Sequence, residues 1–586
     1  MTVDSRLRCL VVLLLQVALP VLAPEPKAVR WHSKPIGPDG PWNAVEVMIG
    51  IRQDPIALFP GRRWQTWVIT TDYCRLNSSI SHCPGGAYQM SKALQHSYAG
   101  HSGAQEFMYG SVVEGPDVDM FMDDFDMSFG SGPIPRVSMS LLDSQMVVYP
   151  GGARYPLFAG CLSLGAPVAN FSLHSSGGQV INSTTIPWYL SNHNITASSS
   201  FGMHLGSAVP GSSVTGSLLY GGYDRSRAIG NILGFDGYFT YNTNLRDIGI
   251  RVVQGKSPFG FRVKDGLLAA GNSSLEIGLR LHLDPCSPYM TLPKSTCDSI
   301  AASLPVTYNP ALGLYMWNTN DAKYHDIINS ASVLSFTITS QADSLTINIP
   351  FQHLNLTLDP PLVMKSAPYL PCHTGGRGMY ILGKVFFQDA FLSANWESRR
   401  WWLAQAPGPA SPSSANPADI LPSDRTIYSD NSDWASTWNG VWAELARNHR
   451  GGLSANASST QQSDAENAGL SSGAKVGIGV GAGLVGLALV LGGLFLWRRE
   501  TRQQRTAVDQ GAGIDGLQQQ QQQQQSGLEL KHGPVEVDGF AQNHLTPSDY
   551  HHAPITISTH QPRFTELPGY GEQMYELDHG SSRRRV

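Results

Sequence analysis

The chain has 586 residues, 41% of them hydrophobic and 15% charged, and a formal net charge of -5. So balanced a charge excludes the basic footprint of a nucleic-acid binder, and the apolar content is enough for a packed core. The length exceeds what one core fills, so several segments of different character are expected.

The N-terminus sets the compartment. Arg6 and Arg8 precede an apolar run from Leu10 to Leu22 that closes on Val21-Leu22-Ala23. A basic start, a short apolar stretch and small residues at its exit predict a signal peptide over residues 1–23, too short to be a span. From Trp42 to Ala406 short β-branched and aromatic runs alternate with Gly, Pro, Asn and Asp turns, as in Val45-Glu-Val-Met-Ile49, Thr66-Trp-Val-Ile-Thr70 and Leu345-Thr-Ile-Asn-Ile349. Long helical periodicity is scarce there, which predicts an all-β fold in two lobes, over residues 42–235 and 236–406. The composition then shifts to Pro, Ser, Ala, Asn and Gly, so residues 407–473 are expected to form an exposed, flexible stalk with one amphipathic piece, Trp434 to Arg447, as a helix candidate.

Val476 to Trp497 holds no charge over 22 residues and reads as a single transmembrane helix. Arg498, Arg499, Arg502 and Arg505 follow it, so the positive-inside rule places the C-terminus in the cytoplasm. The expected location is the plasma membrane or a secretory-pathway membrane, in type I orientation. The tail, residues 498–586, carries eight consecutive glutamines and few apolar residues, so disorder is expected. Asn-X-Ser/Thr acceptors occur at Asn77, Asn170, Asn182, Asn194, Asn272, Asn355 and Asn456, all before the span, as glycosylation of an external domain requires. Apart from Cys9 in the leader, the six cysteines Cys74, Cys83, Cys161, Cys286, Cys297 and Cys372 also precede the span, an even number in an oxidising compartment.

Five motifs carry a resemblance. Val45-Glu-Val-Met-Ile-Gly50 is followed by Ile56-Ala-Leu-Phe-Pro-Gly-Arg-Arg-Trp-Gln-Thr-Trp-Val68 and then by Cys74 and Cys83; Gly160-Cys-Leu-Ser-Leu-Gly165 comes next. Gly216-Ser-Leu-Leu-Tyr-Gly-Gly-Tyr-Asp224, Leu281-His-Leu-Asp284 with Tyr289-Met-Thr-Leu-Pro293, and Tyr380-Ile-Leu-Gly-Lys-Val-Phe-Phe387 with Arg400-Trp-Trp-Leu-Ala404 complete the series. In this order the motifs resemble the pepsin-like aspartic proteases, and the overall layout resembles membrane-anchored fungal members of that family at a cell surface. The resemblance implies a bilobal double barrel with Cys74–Cys83 closing a short loop and Cys297–Cys372 bridging the second lobe. Cys161 and Cys286 then either meet across the base of the cleft or remain free thiols.

The resemblance fails where the chemistry would be. Aspartic proteases need two carboxylates about 3 Å apart that share one proton, so that one activates water while the other protonates the substrate carbonyl. Pro60 stands at the first aspartate position and Arg62 and Arg63 follow it, while the second position keeps Asp284 in an Asp-Pro-Cys-Ser-Pro loop. A lone carboxylate facing two arginines has no partner with which to share a proton. Asp54 and Asp72 flank the first position but lie off it, and Tyr109 is the candidate for the family's flap tyrosine. The expectation is a degenerate site: a cleft that binds a peptide or a cell-wall glycan, with a tail that docks a cytoplasmic protein. The alternative is a membrane-anchored aspartic endopeptidase with an unconventional site. No cofactor and no metal are expected; the acidic run Asp117, Asp119, Asp123, Asp124 and Asp126 fits no Ca²⁺-loop spacing, and Gly469-Leu-Ser-Ser-Gly473 lacks the strand a nucleophile elbow needs.

Overall fold

A computed structural model describes residues 24–445 except 51, 77–82, 90–100, 103–111, 117, 175–179, 241–242, 342, 412–413 and 444. The proposed leader, Asn77, Tyr109, Asn456, the 476–497 apolar run and the tail lie outside the described residues, and no helix among those described is long and apolar enough to cross a membrane.

Strands dominate. Val45–Ile49 buries Val45, Val47 and Ile49 while Glu46 and Met48 are half-buried, the period-two alternation of a sheet with one covered face. Asp54–Gly61 is instead buried on both faces from Ile56 onward, as expected of a strand with neighbours on each side and cover above and below. It pairs antiparallel with Val45–Ile49 and parallel with Gly160–Ser163, within a nine-stranded sheet built from the first half of the chain. The second half repeats the device in an eight-stranded sheet, where Leu279–Leu283 runs parallel to Ile381–Leu382.

A six-stranded sheet joins the halves. Its order is Lys27–Ala28, Ser217–Tyr220, Ser200–His204, Ala390–Asn395, Arg400–Gln405 and Ile229–Asp236, so strands from both ends of the folded region lie side by side. The folded region therefore begins before Trp42: Lys27–Ala28 pairs with Ser217–Tyr220, and Trp31 bridges to Val45. Two-residue strands leave no periodicity for sequence reading to detect. Asp224, in the Gly-Gly-x-Asp turn, accepts from the backbone N–H of Ser226 at 3.1 Å and of Asn416 at 2.9 Å, locking that corner.

That second bond belongs to a segment expected to be a flexible stalk. The described residues of 407–443 instead form a strap on the body. Pro417–Asp419 pairs with Gly222–Asp224, and Ile420 and Ile427 pack with Tyr223, Phe391 and Trp402. Trp438 is fully buried against His353, with ring centroids 4.8 Å apart. Pro- and Ser-rich composition does predict a chain without its own core, yet a few apolar anchors suffice when a finished surface is there to receive them. The helix expected over Trp434 to Arg447 is a short 3-10 turn, Trp434–Trp438, capped by Asp433 and followed by Gly440 at φ 80°.

Among the acceptor asparagines, Asn170, Asn182 and Asn194 are exposed while Asn272 and Asn355 are half-buried. Asp123 of the acidic run is buried and accepts from the Tyr88 hydroxyl at 2.7 Å, and no metal-holding cluster occurs among the described residues.

Candidate functional site

Two parallel strand pairs, one in each half, deliver the loops that carry Pro60 and Asp284. Leu162 lies beside Pro60 and Ser163 beside Gly61 in the first pair, while the Asp284 backbone N–H donates to the Leu382 carbonyl at 3.1 Å in the second. Gly165 lets the first crossing close: a Cβ there would stand 2.6 Å from the Arg62 carbonyl oxygen.

The two loops meet. The Asp284 Oδ1 accepts from the Cys286 backbone N–H at 3.1 Å and from the Arg62 backbone N–H at 3.4 Å. Arg62 Nε stands 4.0 Å from Asp284 Oδ2, an ion pair beyond hydrogen-bond reach in which both side chains are buried. The Arg62 guanidinium also donates to the Thr240 carbonyl oxygen. Asp284 therefore faces a guanidinium and backbone N–H donors where a proton-sharing dyad would need a second carboxylate, and among the described residues none is hydrogen-bonded to it. Asp54 and Asp72 do not reach it: Asp54 is paired with Arg52 at 3.0 Å and Asp72 with Arg75, both at the surface. Burial, joined by the positive charges of Arg62 and Arg63, holds His282 down at about 3, so its imidazole is neutral at any ordinary pH.

A covalent bond ties the strand beside Phe59 to the Asp284 loop. Cys161 and Cys286 form a disulfide with Cα atoms 5.9 Å apart, 125 residues apart in sequence, and a Cβ on Gly61 would lie 3.2 Å and 3.3 Å from their Cβ atoms. Of the two outcomes left open for these cysteines, the structure has them bridged. Cys74–Cys83 and Cys297–Cys372 are bridged as well, each with Cα atoms 5.8 Å apart.

Sequence reading missed one residue here. Lys384 follows Leu382 and Gly383 in the last motif and begins the short helix Lys384–Phe387. Its side chain is buried, its Nζ donates to the Cys286 carbonyl oxygen at 2.9 Å, and it stands 3.6 Å from the centroid of the Phe59 ring. Burial pulls this amine from 10.5 down to about 8, against the upward pull of the Asp39 and Asp284 carboxylates. The only available signal was a charged residue inside an otherwise apolar motif.

No protein-family model matches the chain, and no curated protein matches it. Among solved structures it is similar to the aspartic proteinase from Irpex lacteus, at 15% identity over 64% of this chain and 97% of that one, with a TM-score of 0.40.

Proposed function

We propose that the folded region is a pepsin-like, two-lobed external domain that binds an extended ligand in its cleft and does not cut it. The order of the five motifs and the repeated strand crossing support the fold assignment. One observation carries the function: Asp284 is paired with Arg62 opposite Pro60, and among the described residues no second carboxylate is hydrogen-bonded to it to share a proton. The Cys161–Cys286 bridge suits a binding role, because it fastens the strand beside Phe59 and Pro60 to the loop that carries Asp284 and so limits their relative movement. On this reading residues 1–23 are a leader, 476–497 the membrane anchor and 498–586 a cytoplasmic docking tail. External protease on intact cells should spare a C-terminal epitope tag; loss of the tag overturns that orientation.

The decisive experiment is peptide cleavage between acid and neutral pH, with wild type beside Asp284→Ala. Neither protein should cleave, and neither should bind hydroxyl transition-state mimics tightly, since those need a shared proton. Cleavage by wild type that Asp284→Ala abolishes would give Asp284 a proton partner and would establish the protease alternative.

A further inference from the structure

Lys384 is a buried charge that the Arg62–Asp284 pair leaves over. Its ammonium donates to a carbonyl and faces two aromatic rings, Phe59 at 3.6 Å and Trp42 at 5.6 Å; none of the described carboxylates forms an ion pair with it, and Asp39 and Asp284 act on it only at longer range. A desolvated ammonium with no carboxylate in direct contact destabilises the fold that holds it, so a charge kept in this state beside a cavity marks a ligand position.

There is such a cavity. It measures about 50 Å³ and is lined by Lys384, Phe59, Tyr149, Leu157, Pro288 and Asp39, next to Pro60 on one loop and to Cys286 on the other. Half-buried Gly37 and Tyr155 also line it and bring it to the surface. A water-sized group takes about 10–15 Å³ on this scale, so the space admits a carboxylate with a methylene or two but no sugar ring. The walls are aromatic, aliphatic and proline, and the Tyr149 hydroxyl is already engaged with Tyr289 at 2.7 Å. Lys384 is therefore the group that selects what enters. Asp39 is the opposing influence: its Oδ1 accepts from Trp42 Nε1 at 2.8 Å, and its charge repels an incoming anion.

We propose that this cavity is the anchoring subsite of the cleft and that it takes a carboxylate of an extended peptide, from an acidic side chain or a C-terminus, on the Lys384 ammonium. The inference rests on the reading of the cleft as a binding site. The ligand's carboxylate supplies the direct ion pair that Asp39 and Asp284, acting at longer range, do not form, and a charge-assisted hydrogen bond in a largely apolar pocket distinguishes acid from amide.

The test is a ligand-observed NMR titration of the full-length protein with N-acetylglutamate α-amide, N-acetylglutamine free acid, N-acetylglutamine amide and digalacturonate. Wild type should bind one of the two acids about tenfold or more tighter than the neutral amide, and which acid it prefers identifies the carboxylate's source. Lys384→Met should erase the preference, and Asp39→Asn should strengthen it. Lys384→Met removes a buried charge without changing side-chain volume much, and a single cooperative unfolding transition, no less stable than wild type, with wild-type disulfides verifies its fold. Equal binding of acids and amide, a preference that survives in Lys384→Met, or digalacturonate binding as tightly as the acidic peptides would overturn the proposal. Failure here without peptide cleavage leaves the binding reading standing, whereas Asp284-dependent cleavage removes the reading itself.

Discussion

Breaking the Arg62–Asp284 pair should unmask two buried charges that at present compensate each other. The Arg62 side chain is 6% exposed and that of Asp284 is 2% exposed, and their nearest charged atoms are 4.0 Å apart. At an effective dielectric of about 20 that separation corresponds to about 4 kcal/mol of attraction. Arg62→Met leaves Asp284 with the backbone N–H groups of residues 62 and 286 and the more distant Lys384 ammonium, and a destabilisation of about 3 kcal/mol is expected, at the low end for a broken buried pair because the contact is long. Asp284→Leu leaves the guanidinium with the Thr240 carbonyl and should lose a similar amount. The double variant removes both charges and should lose far less than the sum, giving a coupling energy of about 2–3 kcal/mol. Urea unfolding of the four proteins, followed by tryptophan fluorescence with disulfides intact, measures this cycle. A coupling below about 0.5 kcal/mol would show that the two side chains do not act as a pair, and the explanation of the proton-locked site would fail.

Lys384→Met should raise stability at neutral pH by about 1–3 kcal/mol, since it deletes a desolvated ammonium that the distant Asp39 and Asp284 carboxylates compensate only in part. The folded-state amine titrates at about 8 and the unfolded one at 10.5, so the penalty is fully present below pH 8 and disappears as pH rises through 10.5. The advantage of the Met variant in urea midpoint must shrink across that window; a constant advantage would mean the amine is not desolvated. Trp438→Ala should cost about 3–5 kcal/mol and detach the strap, exposing residues 407–437 to limited proteolysis. Equal cutting of wild type and variant in that stretch would refute the docking.

Much of this molecule was legible in its residues. Strand alternation in Val45–Ile49 and turn residues between short apolar runs specify a β fold, because side-chain direction along a strand is a local property of the backbone. Pro60 excludes a carboxylate by its chemistry alone, wherever the fold puts it. The strap was misread for the complementary reason: Ile420, Ile427 and Trp438 are too sparse to make a periodic pattern, and their burial depends on a surface assembled elsewhere. Arg62 and Asp284 are 222 residues apart, and Cys161 and Cys286 are 125 apart, so their meeting follows from how two loops are aimed by sheets in different halves of the chain. Lys384 reads as one more lysine in the sequence; only packing against Phe59, Trp42 and Cys286 strips it of water and keeps carboxylates out of contact. Residue chemistry thus determined what the site lacks, and tertiary structure decided what stands there instead, because desolvation and charge pairing are properties of neighbours in space.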